Sequence, residues 1–214
     1  MNKIEKLFNA FNQKVLITDL DGTLIETKSG KTFPENEDDW KFRKYIKEAI
    51  QEYNPKYILI VSNQGGIEKG YVDEHKFFGK LCDIRDKMEN WGDYIIRFSY
   101  CTSNDPACKD RKPNTGMIDF FRTDFIGGTD FSRRQALMIG DASGLEGQFS
   151  DTDLQCARNA GIRYCDVNQF IEAMVPCLAV CKEQNLGCQT GDDIDRYLPC
   201  FYGKKARLKN VIIK

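Results

Sequence analysis

Val15-Leu16-Ile17-Thr18-Asp19-Leu20-Asp21-Gly22-Thr23 is the stretch that decides how the rest of the chain is read. An apolar run ends in a carboxylate and, two residues on, in a second carboxylate followed by glycine. That is the pattern of a buried parallel strand delivering a loop to a sheet edge. Gly22 permits a sharp turn that brings the backbone close to a ligand. The two acids suit separate tasks: one attacks phosphorus, while the other protonates the leaving oxygen and later deprotonates the water that releases phosphate. The same pair suits a hard divalent cation bound through oxygen. An isolated Asp-x-Asp-Gly is equally common as a surface turn, and what separates the two is what else the chain brings to the same edge.

Downstream, helical and strand patterns alternate. Phe42, Tyr45, Ile46, Ala49, Ile50 and Tyr53 predict an amphipathic helix over residues 39–53, stopped by Asn54 and Pro55. A buried strand over 57–61 follows, with the polar, glycine-rich exit Ser62-Asn63-Gln64-Gly65-Gly66. Phe77, Leu81, Ile84, Met88 and Trp91 mark one face of the next helix. Strands are expected over 94–100, 136–139 and 162–165, and helices over 117–125, 153–160 and near 170–180. Such alternation implies an α/β fold, a Rossmann-like parallel sheet with helices on both faces. Ligands in that architecture sit beyond the carboxyl ends of the strands.

Three more motifs fall at that edge. Ser62 and Asn63 offer a hydroxyl and backbone amides to phosphoryl oxygens. Lys112, in Arg111-Lys112-Pro113, offers a point charge to the same oxygens, with Pro113 able to start a helix. Gly140-Asp141 brings a third carboxylate, suited to complete a magnesium site. Each is weak alone: a turn, a solvated Arg-Lys pair, a Gly-Asp dipeptide. The four follow one another in an order that a single parallel sheet would bring together.

With these motifs in place, the chain resembles the haloacid dehalogenase superfamily over about residues 15–173. The resemblance implies that fold, with Asp19 as nucleophile, Asp21 as acid/base, and Ser62 and Lys112 as the phosphoryl clamp. It also implies Mg2+ on Asp19, the Asp21 main-chain carbonyl and Asp141, with Gly22, Thr23, Asn63 and Arg111 lining the substrate. The gaps between motifs leave no room for a lid domain, so a capless enzyme is expected, with a site open to the end of a large molecule. Residues 1–180 are read as the phosphatase domain and 181–214 as a cysteine-containing basic tail packed on it.

More specifically, Leu24 to Pro34, Asp39-Trp40, Arg111 to Met117, Gly140 to Gly144, Phe149 to Asp153 and Asn159-Ala160-Gly161-Ile162 resemble the polynucleotide 3'-phosphatase family. That family implies removal of 3'-phosphates from DNA ends in strand-break repair. Phe33, Trp40 and Lys31 are then candidates to lie beside the bound end, or simply to pack against the domain. Residues 144–151 and the tail depart from the family pattern. No Gly-x4-Gly-Lys-Ser/Thr loop occurs in these residues, so neither kinase activity nor a nucleotide cofactor is expected. The rival enzyme is a capless small-molecule phosphatase of the heptose-bisphosphate or histidinol-phosphate type. A binding module for nucleic-acid ends is the third reading, and it is disfavoured because Asp19 and Asp21 are both present.

Composition narrows the setting. A net charge of −1 gives no long-range attraction for a polyanion, so nucleic-acid contact must come from local patches. The candidate patches are Lys109 with Arg111 and Lys112, Arg133 with Arg134, and the tail. No apolar run approaches the roughly 20 residues that cross a bilayer, and residues 1–14 lack a secretory pattern. An intracellular setting is expected, nuclear in a eukaryote and otherwise cytoplasmic. Nine scattered cysteines read as reduced thiols. Cys101 and Cys108 precede the lysine motif where relatives of the rival type carry zinc, but two thiols without a histidine fall short of four ligands. Cys177, Cys181, Cys188 and Cys200 match no zinc spacing, and His75 lies on a polar helix start.

Overall fold

Alternate residues of one strand feed two separate cores, and this places helices on both sides of the sheet. In the computed structural model, which describes residues 14–125 and 135–175, β1 (Val15–Thr18) lies at the centre of five strands. Leu16 packs into one apolar cluster, whereas Val15 and Ile17 pack into another. β4 (Tyr57–Asn63), β5 (Ile95–Cys101), β6 (Ala136–Gly140) and β7 (Arg163–Asp166) complete the sheet in the order β5-β4-β1-β6-β7, every neighbouring pair parallel.

The first cluster joins α1 (Ile46–Tyr53), α3 (Glu74–Glu89) and α6 (Val167–Met174) to the sheet, and the second joins α4 (Gly116–Phe120) and α5 (Thr152–Asn159). On α3 the buried residues are Phe77, Leu81, Ile84 and Met88. Each contributes roughly 1.5–3 kcal/mol by burial, enough to hold a helix whose opposite face is charged. Asp73 caps this helix by accepting from the Lys76 N–H at 2.9 Å. Among the described residues no helix is long and apolar enough to cross a membrane.

The chain leaves β1 for β4 and β5 on one side, then returns to β6 and β7 on the other. A crevice therefore opens beyond the carboxyl end of β1, where the connections diverge. The loops after β1, β4 and β6 all start there.

Between β1 and α1 there is a small flap, and here the expectation of one helix over 39–53 needs correction. Lys41 and Phe42 form β3 (Lys41–Phe42), paired antiparallel with β2 (Ile25–Glu26), and α1 begins only at Ile46. Tyr45 adopts φ 66, which breaks the run, and Phe42 turns to meet Trp91 at 4.5 Å between ring centroids. The apolar spacing was real, but its first members serve a hairpin. The segment 117–125 divides into α4 and a π-helical turn over Phe121–Phe125. Helix α4 opens at Gly116, so Pro113 stands ahead of it and does not start it. A one-turn helix, α2 (Gly65–Glu68), follows β4. The last helix is described to Met174, and Arg133, Arg134, Cys177 and residues 181–214, including Cys181, Cys188 and Cys200, lie outside the described residues.

Candidate active site

Lys112 is the hub of the crevice. Its ammonium lies 2.5 Å from Asp19 Oδ1 and 2.8 Å from Asp153 Oδ1, with all three residues buried. Asp19 arrives at the end of β1, its N–H bonded to the Ile139 carbonyl of β6 at 3.1 Å. Lys112 is aimed by Asn63 on β4: the Lys112 N–H donates to Asn63 Oδ1 and Asn63 Nδ2 donates to the Lys112 carbonyl, both at 2.9 Å. Asn63, read as lining the substrate, thus has its amide engaged with the lysine loop.

Asp141 follows β6, and Asp19, Asp141 and Asp153 each place one oxygen within 4.8 Å of the others. Two glycines make that convergence possible. A Cβ on Gly22 would stand 2.1 Å from Asp141 Oδ2, and Gly22 has φ +79. A Cβ on Gly140 would stand 2.2 Å from Asp153 Oδ2. Gly22→Ala is accordingly expected to cost at least about 100-fold in turnover, since small misplacements at a reacting centre have that effect. Steady-state kinetics with a generic phosphate ester, beside a melting curve, would separate this from unfolding.

Three acids and one lysine form an unbalanced set. Burial pushes the Asp19 carboxyl up to about 8, with Asp153 adding to the rise and Lys112 opposing it. Asp141 is also raised, by burial and then by Asp153. Burial alone would lower Lys112, but Asp19 and Asp153 together hold it above its ordinary value. A divalent cation would supply the missing positive charge, and three carboxylates this close suit a hard ion.

A carboxyl raised in the folded state favours folding while protonated. Its contribution is full below the unfolded value near 3.8 and is lost as pH rises toward about 8. Chelator-treated protein is expected to melt at lower temperature as pH climbs from 5 to 8. The rise in melting temperature on adding Mg2+ should grow over the same interval, because the cation replaces the proton. Differential scanning fluorimetry at several pH values checks both.

Asp21 stands apart from this cluster. Gln64 Nε2 donates to Asp21 Oδ2 at 2.6 Å and to Ser62 Oγ at 2.8 Å, tying the acid to the serine. On the other side Lys80 of α3 brings its ammonium to 3.7 Å from Asp21 Oδ1. The Asp21 side chain is half exposed, facing the open side of the crevice. Thr23 is fully buried and its hydroxyl has no hydrogen-bond partner among the described residues. Arg111 donates from Nη1 to the Ser103 carbonyl at 2.7 Å, bracing the loop before Lys112. Cys101 and Cys108 bring their sulfurs to 3.6 Å, and the only group of three or more metal-ligating side chains among the described residues is the aspartate cluster.

The flap roofs one side. Asp39 accepts from Glu35 N at 2.9 Å, Ser29 Oγ at 2.7 Å and Ser29 N at 2.8 Å, and these bonds, that from Glu35 foremost, hold its carboxyl down at about 2. Arg43 ties the flap down by donating to the Gly22 carbonyl and, at 2.7 Å, to Asn168 Oδ1 of α6. Trp40 packs edge-on against Phe42 at 5.4 Å, beneath the Lys87 ammonium, and so belongs to the domain. Phe33 is 75% exposed, and Lys31 pairs with Glu35.

Asp153, Gln64, Lys80 and Arg43 were given no role from sequence, although Asp153 closes the stretch Phe149 to Asp153 that resembles the family. An acid in the first turn of a helix usually reads as a match to the helix dipole, which hides Asp153. Gln64 lay within the quoted exit of β4 with nothing to say where its amide would point. Lys80 occupies a helix position whose neighbour across the crevice only the tertiary fold supplies.

Fold and site together define a phosphatase of the haloacid dehalogenase type. A crystal structure of D,D-heptose 1,7-bisphosphate phosphatase from B. bronchiseptica, complexed with magnesium and phosphate, superposes with a TM-score of 0.55 at 22% identity, covering 71% of this chain and 79% of that one. Residues 14–171 match the family described as polynucleotide kinase 3 phosphatase, and the chain belongs to that family. It is 34% identical over 161 residues to the bifunctional polynucleotide phosphatase/kinase of Schizosaccharomyces pombe, a match covering 74% of this chain and 37% of that protein. It is also 27% identical over 197 residues to the polynucleotide 3'-phosphatase of Saccharomyces cerevisiae, covering 68% and 82% respectively.

Proposed function

We propose that the protein hydrolyses 3'-phosphate monoesters at DNA ends, restoring a 3'-hydroxyl in the course of strand-break repair, through an aspartyl-phosphate on Asp19. The observation that carries this reading is the Lys112 ammonium held between buried Asp19 and Asp153 at the sheet edge. It leaves Asp19 fixed beside the positive charge that a phosphoryl group requires. The family match and the names of the relatives supply the polynucleotide end.

In this account Asp19 Oδ attacks phosphorus, and the bond from phosphorus to the DNA 3'-oxygen breaks. Asp21 donates a proton to the departing oxygen, then takes one from the water that cleaves the acyl phosphate. Lys112 and Ser62 hold the phosphoryl oxygens, and Gln64 keeps Asp21 and Ser62 in fixed relation. Asp19, Asp141 and Asp153 would hold Mg2+, which neutralises phosphoryl charge when bound. The flap between β1 and α1 is a two-strand hairpin, and a site beside so small a flap suits a phosphate at the end of a polymer.

Phosphate release in Mg2+ from a 3'-phosphorylated oligonucleotide, a 5'-phosphorylated oligonucleotide and a heptose bisphosphate tests the assignment. The 3'-phosphate is expected to be hydrolysed with a kcat/KM at least about 100-fold above the others. Preference for the sugar bisphosphate would transfer the protein to the small-molecule reading.

A further inference from the structure

Behind the acids, the turn that carries Asp141 and leads to Asp153 on α5 is held by a buried polar cluster that takes no part in the chemistry above. β7 runs beside β6 with Asp166 opposite Gly140, and Ser143, Tyr164 and Asp166 are all buried. The Ser143 hydroxyl donates to Asp166 Oδ2 at 2.8 Å, and Gln148 Nε2 donates to the same oxygen at 2.6 Å. Gln148 Oε1 turns back to accept the Ser143 N–H at 2.7 Å and the Leu145 N–H at 3.2 Å. The Tyr164 hydroxyl lies 2.6 Å from Ser143 Oγ and 3.1 Å from the Gly140 carbonyl. With the serine hydrogen committed to Asp166, the phenolic hydrogen is shared between these two acceptors. Asp166 Oδ1 accepts the Asn168 N–H at 2.8 Å at the start of α6.

A buried carboxylate served by three neutral donors is a costly way to fill space, since apolar side chains of the same volume pack without a desolvation penalty. What the cluster fixes is the path of the backbone from Gly140 to Gln148. Asp141 stands at the start of that path and Asp153 beyond its end on α5, like charges with oxygens within 4.8 Å of each other and of Asp19. Their repulsion pushes the turn open unless something else holds it. The geometry points to Tyr164, Ser143, Gln148 and Asp166 as positioning residues, a clasp that keeps the Asp141 and Asp153 carboxylates at the spacing a divalent cation requires before it binds. This rests on the reading of the three aspartates as cation ligands, and on nothing about the substrate.

Isothermal titration calorimetry with Mg2+ alone, on protein stripped of metal, tests the clasp without reference to turnover. Tyr164→Phe and Gln148→Ala are each expected to weaken Mg2+ binding about tenfold, the scale at which partners of metal ligands act. At saturating Mg2+ their kcat should stay within about twofold of the native value, which a general loss of structure would not produce. Ile171→Val, a buried change on α6 outside the clasp, should leave Mg2+ affinity unchanged and controls for stability. Native affinity in both clasp variants, or an equal loss in Ile171→Val, would overturn the clasp while leaving the site standing. Native protein that binds no Mg2+ would overturn the site reading and the clasp with it.

Discussion

Asp19→Asn protein is expected to release phosphate at least about 10^4-fold more slowly than the native enzyme while remaining folded, because an amide oxygen cannot replace the attacking carboxylate. The structure argues for an intact fold in this variant. Asp19, Asp141 and Asp153 share one lysine, so removing one negative charge brings the cluster nearer to balance. Lys112 keeps Asp153 at 2.8 Å as a partner. The melting temperature without metal should therefore match or exceed that of native protein. Phosphate release under saturating substrate, read beside the melting curve, checks both halves, and a variant that is merely unfolded would fail the second.

Lys112→Met should be the more damaging change to the fold. Lys112 is the cation between two buried carboxylates, and deleting one partner of a buried ion pair costs about 3–5 kcal/mol because the remaining charge is stranded. For a chain of this length that corresponds to a fall in melting temperature of roughly 10 °C, at about 2–4 °C per kcal/mol. Activity should fall by at least about 10^3-fold as well, since the charge that meets the phosphoryl oxygens is gone. The pH effect also steepens. Without the lysine, protonation of Asp19 or Asp153 relieves the stranded charge, so Lys112→Met should regain stability on acidification more steeply than native protein. Urea denaturation at pH 5.5 and 8 measures this, and a pH-independent difference between the two proteins would contradict it.

Legibility in the sequence followed the range over which each signal acts. The strands of the sheet were readable because a doubly covered parallel strand must be apolar on both faces, as Val15, Leu16 and Ile17 are, divided between two cores. The residues at the strand ends were readable as a set because the order of strands converts sequence separation into proximity. Asp19 and Lys112, 93 residues apart, end in contact. The flap was misread because Phe42 and Ile46 keep a helical spacing, and the left-handed backbone of Tyr45 between them leaves no mark in that pattern. Asp153 escaped for a related reason. Its role depends on Gly140 having no side chain and on the bend that returns α5 to the crevice, and neither is a property of the residues around it. The clasp was equally invisible, since Ser143, Gln148, Tyr164 and Asp166 come from a turn and a neighbouring strand that only the sheet brings together.

Covalent chemistry at Asp19 is the claim on which the rest turns, and rapid acid quenching of native protein mixed in a single turnover with 3'-[32P]phosphorylated DNA addresses it most directly. Transiently labelled protein is expected, its label released by hydroxylamine as from an acyl phosphate, carried on the peptide that contains Asp19 and absent when Asp19 is replaced by Asn. Label on any other residue, or single-turnover release of phosphate by native protein with no labelled intermediate at any quench time, would contradict it.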